Sequence, residues 1–201
     1  MSPGATFERV YYDLRRMLAQ GELPPGSPIE PALIGREIGA SITPVRDALH
    51  RLVGERLVEA PNHNGFRAPI PTEAGLRDLY SWNAQLLALA ARRIRPAQPG
   101  HEASGIEHGQ DAVAATEGLF VEIAQAASSI EHVRAVQQLN DRLAPFRRLE
   151  ARMLSDIADE LDLLVLHHRR GDRAQLVRLL ERHRHRRLKI VPAILLELHN
   201  P

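Results

Sequence analysis

The sequence predicts a mainly α-helical protein in two parts, an N-terminal winged helix-turn-helix over residues 1–71 and a C-terminal all-helical bundle over 72–201. Three observations predict it. The stretch Gly39-Ala-Ser41-Ile-Thr43-Pro44-Val45-Arg46-Asp47-Ala-Leu49-His-Arg51-Leu52 reads as the turn and second helix of a helix-turn-helix. Behind it, 57–60 and 66–70 flank Asn62-His63-Asn64-Gly65, the pattern of a small hairpin with a glycine at its tip. Beyond Pro69 and Pro71, apolar residues recur at helical spacing in long segments without an internal repeat, as in a helical bundle.

The elements follow in order. Phe7, Val10, Tyr11, Leu14, Met17 and Leu18 predict a helix over 6–19, stopped at Gly21. The segment Gly21-Glu-Leu-Pro-Pro-Gly-Ser-Pro cannot continue a helix and turns the chain into a short second helix over 30–38. In the third helix Ser41 or Thr43 is a candidate cap and Pro44 fits the first turn, where its missing N–H costs nothing. Val45, Ala48, Leu49, Leu52 and Val53 pack inward, leaving Arg46, Asp47, His50 and Arg51 on the surface. Thr72 and Glu73 open a long helix toward Arg95, with Leu76, Leu79, Tyr80, Leu86, Leu87, Leu89 and Ala90 on its buried face. A breaker-rich loop over 95–105 follows, then helices over 110–127, 130–152, 156–170 and 173–198. Pro145 should bend or divide the second of these. Gly171 stops one helix, and Asp172 with Gln175 forms a capping box for the next.

Composition sets bounds. With 44% hydrophobic and 25% charged residues among 201, the chain has an ordinary globular balance and enough length for a sizeable core. There is no cysteine, which excludes disulfides and thiolate zinc sites. The first residues lack a basic start followed by an apolar run, and no segment is long enough to span a bilayer, so the expected location is the cytoplasm, with no membrane partner. A net charge of +1 permits nucleic-acid binding without arguing for it. No phosphate-cradling glycine loop, nucleophile setting or spaced acid and base pair is present, so an enzyme is not expected.

Gly21-Glu-Leu-Pro-Pro-Gly-Ser-Pro-Ile29, the 34–39 segment, Ser41-Ile-Thr-Pro-Val-Arg-Asp-Ala-Leu49, Leu52, Leu57-Val58 and Gly65 together resemble the winged-helix domain of the GntR family of bacterial transcription regulators. The likeness runs from about Phe7 to Ile70. More faintly, Leu119-Phe120 with Glu122-Ile123-Ala124, Leu139-Asn-Asp-Arg-Leu143 with Arg147, and Gly171-Asp172 with His183 resemble the FadR-type effector-binding domain called FCD. The resemblance implies a homodimer on a palindromic double-stranded operator, with affinity set by a small-molecule effector in the helical domain. It places DNA contacts at Ser41, Thr43, Pro44, Arg46, His50, Arg51, Asn62, His63, Asn64 and Gly65. The effector pocket is expected around Trp82, Glu117, Phe120 and His183, with an anion as one ligand option.

Departures from the family pattern sharpen the expectation. Family arginines or basic residues are replaced by Ala32 and Ile42, and Asn64 precedes the wing glycine. Because arginine is the commonest bidentate reader of guanine, each loss removes a contact worth ~1–3 kcal/mol and leaves Arg46 as the main base reader. Asp47 would repel phosphate and is expected to orient Arg46 or Arg51. The family's metal-ligand positions are Glu117, Val121, Leu161 and His183; two of these cannot ligate, so no metal and no other cofactor is expected. His132, His167, His168, His183, His185 and His199, with the run from His183 to Lys189, read as a solvated helix face. A competing reading is a winged-helix dimerisation or scaffold protein with degraded DNA binding and no effector.

Overall fold

The computed structural model describes residues 3–61, 65–94 and 111–199. The chain divides into two compact units, one ending at Pro71 and the other beginning at Thr72.

The first unit is built on three helices, α1 (Pro3–Gln20), α2 (Pro31–Glu37) and α3 (Ile42–Gly54). Val10, Tyr11, Leu14 and Met17 of α1 bury against Val45, Ala48, Leu49 and Leu52 of α3, while Ile34 of α2 closes the same core. Pro31 opens α2 at its first position, where no backbone donor is needed, and Gly39 (φ 65°) supplies the left-handed turn after it. Arg9 holds that turn from α1, donating to Ile38 O at 2.8 Å and Gly39 O at 3.3 Å. Ser41 occupies the cap position of α3 in extended backbone but makes no side-chain cap bond, and Thr43 lies inside the helix. The expected hydroxyl cap is therefore absent, and burial of the inner face fixes the helix start instead.

The turn depends on one close approach. A Cβ at Gly35 would sit 2.7 Å from Ala40 O, backbone that is pinned by the Ala40 N–H to Gly35 O bond of 2.8 Å. Gly35→Ala is accordingly expected to destabilise the first unit by about 1–3 kcal/mol in chemical denaturation. Gly54→Ala, where the added carbon meets nothing within 4 Å, is the control and should be neutral or stabilising.

The hairpin is smaller than its flanks suggest. Among the described residues, only Glu59 and Arg67 bridge across it, with mutual backbone bonds of 2.9 Å. The strand β2 (Phe66–Arg67) pairs antiparallel with β1 (Pro28–Ile29), so the wing is completed from the proline-rich segment between α1 and α2. Asn62, His63 and Asn64 lie outside the described residues; Gly65 is exposed with φ 95°.

The second unit is all helical: α4 (Glu73–Ala91), α5 (Ala112–Gln125), α6 (Ile130–Met153), α7 (Ile157–Arg169) and α8 (Arg173–His199). Four starts carry side-chain caps: Thr72 accepts from Gly75 N, Asp111 from Val113 N, Ser129 from His132 N, and Asp172 from Gln175 N after the left-handed Gly171. Residues 95–110, which include the expected breaker-rich loop, lie outside the described residues. Pro145 does not divide α6, which runs unbroken with Leu143, Ala144 and Phe146 buried around it. One apolar cluster joins Leu87, Phe120, Ile123, Leu139, Leu164 and Leu176, and a second joins Leu76, Tyr80, Leu143, Phe146, Val191 and Ile194. Leu89, expected on the buried face of α4, is exposed instead.

Candidate nucleic-acid interface and interior polar site

The apolar face of α3 is spent on the core, so its opposite face is free, and Ile42, Thr43, Arg46, Asp47 and His50 form an exposed stripe along it. Ile42 is 50% exposed. Among the described residues Arg46 has no ion pair, and Asp47 has none either, so Asp47 does not orient an arginine as expected. Pro44 is half-buried at the start of the stripe, and the His50 ring packs edge-on against Phe66 at 5.0 Å, tying α3 to β2. Arg51 is engaged elsewhere. Its guanidinium lies 4.0 Å over the Tyr11 ring and contacts Glu55 at 3.2 Å and Glu8 at 3.4 Å, an arrangement that buttresses α1 against α3. Burial, then the bond to Glu55, pushes the Tyr11 hydroxyl up to about 12.

The helical unit carries a polar cluster that touches both apolar clusters. On α8, His183 (8% exposed) and Arg187 (2%) continue the inward stripe of Leu176, Leu180, Val191 and Ile194, which corrects the expectation of a solvated face at these two positions, whereas His185 and Lys189 of the same run are exposed as expected. Arg187 donates from Nε to Glu150 Oε2 at 2.9 Å and from Nη1 to Glu160 Oε2. Tyr80 donates to Glu150 Oε1 at 2.7 Å. Nearby, Arg147 stacks on the Phe120 ring at 5.2 Å, and His183 meets that ring edge-on at 5.3 Å. Glu117 faces Arg147 at 3.5 Å. Glu117, Phe120 and His183 are thus gathered in one place, whereas Trp82 is not among them. It is 51% exposed and lines a half-open groove of about 690 Å³ with Leu89, Arg92, Val177 and Arg184.

Other histidines also have partners that the sequence did not reveal. His132 Nε2 meets Leu86 O at 2.9 Å, His167 Nδ1 meets Asp172 at 3.3 Å, and His168 is largely buried, which lowers its pKa.

Residues 6–67 match the family model described as bacterial regulatory proteins, gntR family. The N-terminal unit is a GntR-type domain. The chain is similar to the HTH-type transcriptional regulator McbR of Escherichia coli strain K12, 33% identical over 95 residues, which make up 44% of this chain and 42% of that protein. It is also similar to the HTH-type transcriptional regulator YdhC of Bacillus subtilis strain 168, 26% identical over 92 residues, 46% of this chain and 41% of that one. The chain therefore aligns to less than half the length of these curated relatives. Two solved structures share its fold along most of its length. One is E. coli McbR/YncC, with TM-score 0.66 and 19% identity, covering 94% of this chain and 97% of that one. The other is a GntR regulator from Rhodococcus sp. RHA1, with TM-score 0.75 and 16% identity, covering 94% and 98%.

The GntR-type domain places Ala32 and Ile42, where the family pattern has basic residues, on exposed surface, so neither position is filled for packing reasons. In the helical unit the four positions that the resemblance links to a metal do not suit one. Leu161 is core, Glu117 faces Arg147, and His183 lies beside Arg187, so two guanidinium cations stand where a divalent cation would have to be neutralised. Among the described residues no group of three or more potential ligands is gathered.

The polar cluster also fixes a pH response. Burial, helped by the Arg187 charge, holds His183 below its usual pKa, so the folded unit keeps the ring neutral while the unfolded chain protonates it. Burial alone would raise Glu160, but His183 and Arg187 outweigh it and hold that carboxyl at about 2. Both groups bind fewer protons when folded, so stability is full above their unfolded values and falls with acid. The second unit is expected to lose stability as pH drops below about 6.5 through His183 and His168, then again between about 4.5 and about 2 through Glu160. Melting curves of His183→Asn against the parent check the upper limb, which should shrink in the variant and keep only the part due to His168.

Proposed function

We propose that this chain is a DNA-binding transcription regulator of the GntR family, with a helical unit of the FCD type that tunes operator affinity through a small-molecule effector. The observation that carries this reading is the exposed α3 stripe, with Arg46 unpaired among the described residues, on a unit whose inward face is fully used. That the similar proteins McbR and YdhC are named HTH-type transcriptional regulators supports it.

In this reading α3 enters the major groove. Ser41, Thr43 and Pro44 approach the backbone, Arg46 and Ile42 meet base edges, and His50 and Arg51 lie farther along the helix. The wing, through Asn62, His63, Asn64 and Gly65, follows the adjoining backbone or minor groove. Two copies of the chain pair, and their twofold symmetry demands a palindromic site. An effector acts by binding one arrangement of the paired winged helices better than another. A cytoplasmic site of action fits, and no described helix is long and apolar enough to cross a membrane.

Selection of the full chain on a pool of random duplexes tests this. Enrichment of an inverted repeat is expected. No enrichment at low salt would instead favour a winged-helix scaffold with lost DNA binding.

A further inference from the structure

The outer face of α4 carries charged and apolar groups in an order that is complementary to itself. Asp78, Trp82, Gln85, Leu89 and Arg92 recur at helical spacing and are all exposed, while Leu76, Tyr80, Leu87 and Ala90 turn inward. Trp82 is 51% exposed and Leu89 48%, two large apolar side chains left in water on one stripe. Asp78 and Arg92 have no ion pair among the described residues, although Glu73 holds Arg77 and Glu181 holds Arg184 close by.

Gln85 stands at the middle of the stripe. Asp78 lies seven residues before it and Arg92 seven after, with Trp82 three before and Leu89 four after. A second copy laid antiparallel on this face, about a twofold axis through Gln85, therefore sets Asp78 of each copy against Arg92 of the other, roughly 10 Å to either side of the axis. A parallel pairing in register would instead oppose like charges. The antiparallel arrangement also sets each Trp82 against the other copy's Leu89. Beside Leu89 a groove of about 690 Å³ opens, lined by the small residues Ser81, Ala84 and Ala88 and by Val177 of α8, which gives an indole room to enter. Glu181 and Arg184 on its wall neutralise each other, so Arg92 is the uncompensated charge of that wall.

We propose that the α4 face from Asp78 to Arg92 is the twofold interface between two copies of this chain, with Trp82 of each copy seated in the groove beside Leu89 of the other. The proposal rests on the reading that the chain acts as a pair and names the surface that joins it. A desolvated aromatic anchor in a pocket, rimmed by opposite charges, has the anatomy of a stable interface.

Sedimentation of the full chain without DNA tests it. A dimer is expected at micromolar concentration. Trp82→Glu should weaken self-association at least about 30-fold, the loss of an aromatic anchor, and helix content by circular dichroism should not change, because the side chain is exposed in the single chain. Leu166→Glu, on the exposed side of α7, should leave the dimer as it is. Charge reversal separates this face from any other. Asp78→Arg and Arg92→Asp should each weaken the dimer at least about tenfold by opposing like charges at two symmetric contacts, and the double variant should return to within about threefold of the parent. Gln85→Cys, in a chain without other cysteines, should yield a disulfide-linked dimer on mild oxidation. The proposal is overturned if the parent is a monomer, if Leu166→Glu dissociates the dimer and Trp82→Glu does not, if the double reversal fails to recover what the single reversals lose, or if Gln85→Cys forms no cross-link. With duplex omitted, a dimer held by another face leaves the regulator reading standing, whereas a dimer held by this face that ignores every duplex removes that reading alone.

Discussion

Arg187→Met should destabilise the helical unit by about 3–5 kcal/mol, because it leaves Glu150 and Glu160 buried without the cation that joins them. The methionine fills much of the stem volume, so the cost measures the stranded carboxylates rather than a void. Glu150 would retain only the Tyr80 hydroxyl, and Glu160 would retain Arg186 and His183. Urea denaturation followed by far-ultraviolet circular dichroism reads the change. A loss below about 1 kcal/mol would mean that the carboxylates reach solvent and the buried network is not as described. Adding Glu150→Gln to Arg187→Met should recover part of the loss, since a neutral amide is cheaper to leave in place than an ion.

Arg46→Ala should have the largest effect on DNA. A bidentate base contact carries about 1–3 kcal/mol, so a complex with two half-sites loses about 2–6 kcal/mol, at least about 20-fold in affinity. Folding should be untouched within about 0.5 kcal/mol, because the side chain is exposed and has no described partner. Anisotropy titration of a selected duplex at fixed salt provides the affinity, and melting provides the control. The discrimination is sharper at the level of sequence: the variant should lose preference at one base pair per half-site and keep it at the others. Arg51→Ala should show the converse pattern, a stability loss through Tyr11, Glu8 and Glu55 with little change in sequence preference.

Much of the architecture was legible because its signals are local. Pro44 and the Val45–Leu52 periodicity mark α3, and Thr72, Gly171 and Asp172 mark helix boundaries through backbone chemistry that acts within one turn. What escaped is nonlocal or polar. The Pro28–Ile29 strand has no period to detect, and only its pairing with Phe66–Arg67 makes it a strand. The interior of α8 escaped because counting apolar residues alone skips His183 and Arg187. The spacing of 176, 180, 183, 187, 191 and 194 is unbroken once those two are admitted to the inner face, and their partners Glu150 and Glu160 lie 37 and 27 residues from Arg187. Similarly, Asn140, Arg147 and Glu150 sit on the inner face of α6 among Val136, Leu139, Leu143 and Phe146. Trp82 and Leu89 fall on the outer side of α4, where helical spacing alone could not separate groove from core.

The proposed docking of the α3 stripe against paired bases can be tested directly, because a chain without cysteine accepts a single label cleanly. Thr43→Cys carrying a DNA-cleaving iron chelate, bound to the selected duplex, should cut at two symmetric positions, one in each half-site, near the base pair whose preference depends on Arg46. Binding of the duplex with no cleavage from position 43, or the absence of any duplex binding at about 50 mM salt, would contradict the assignment of this face to DNA.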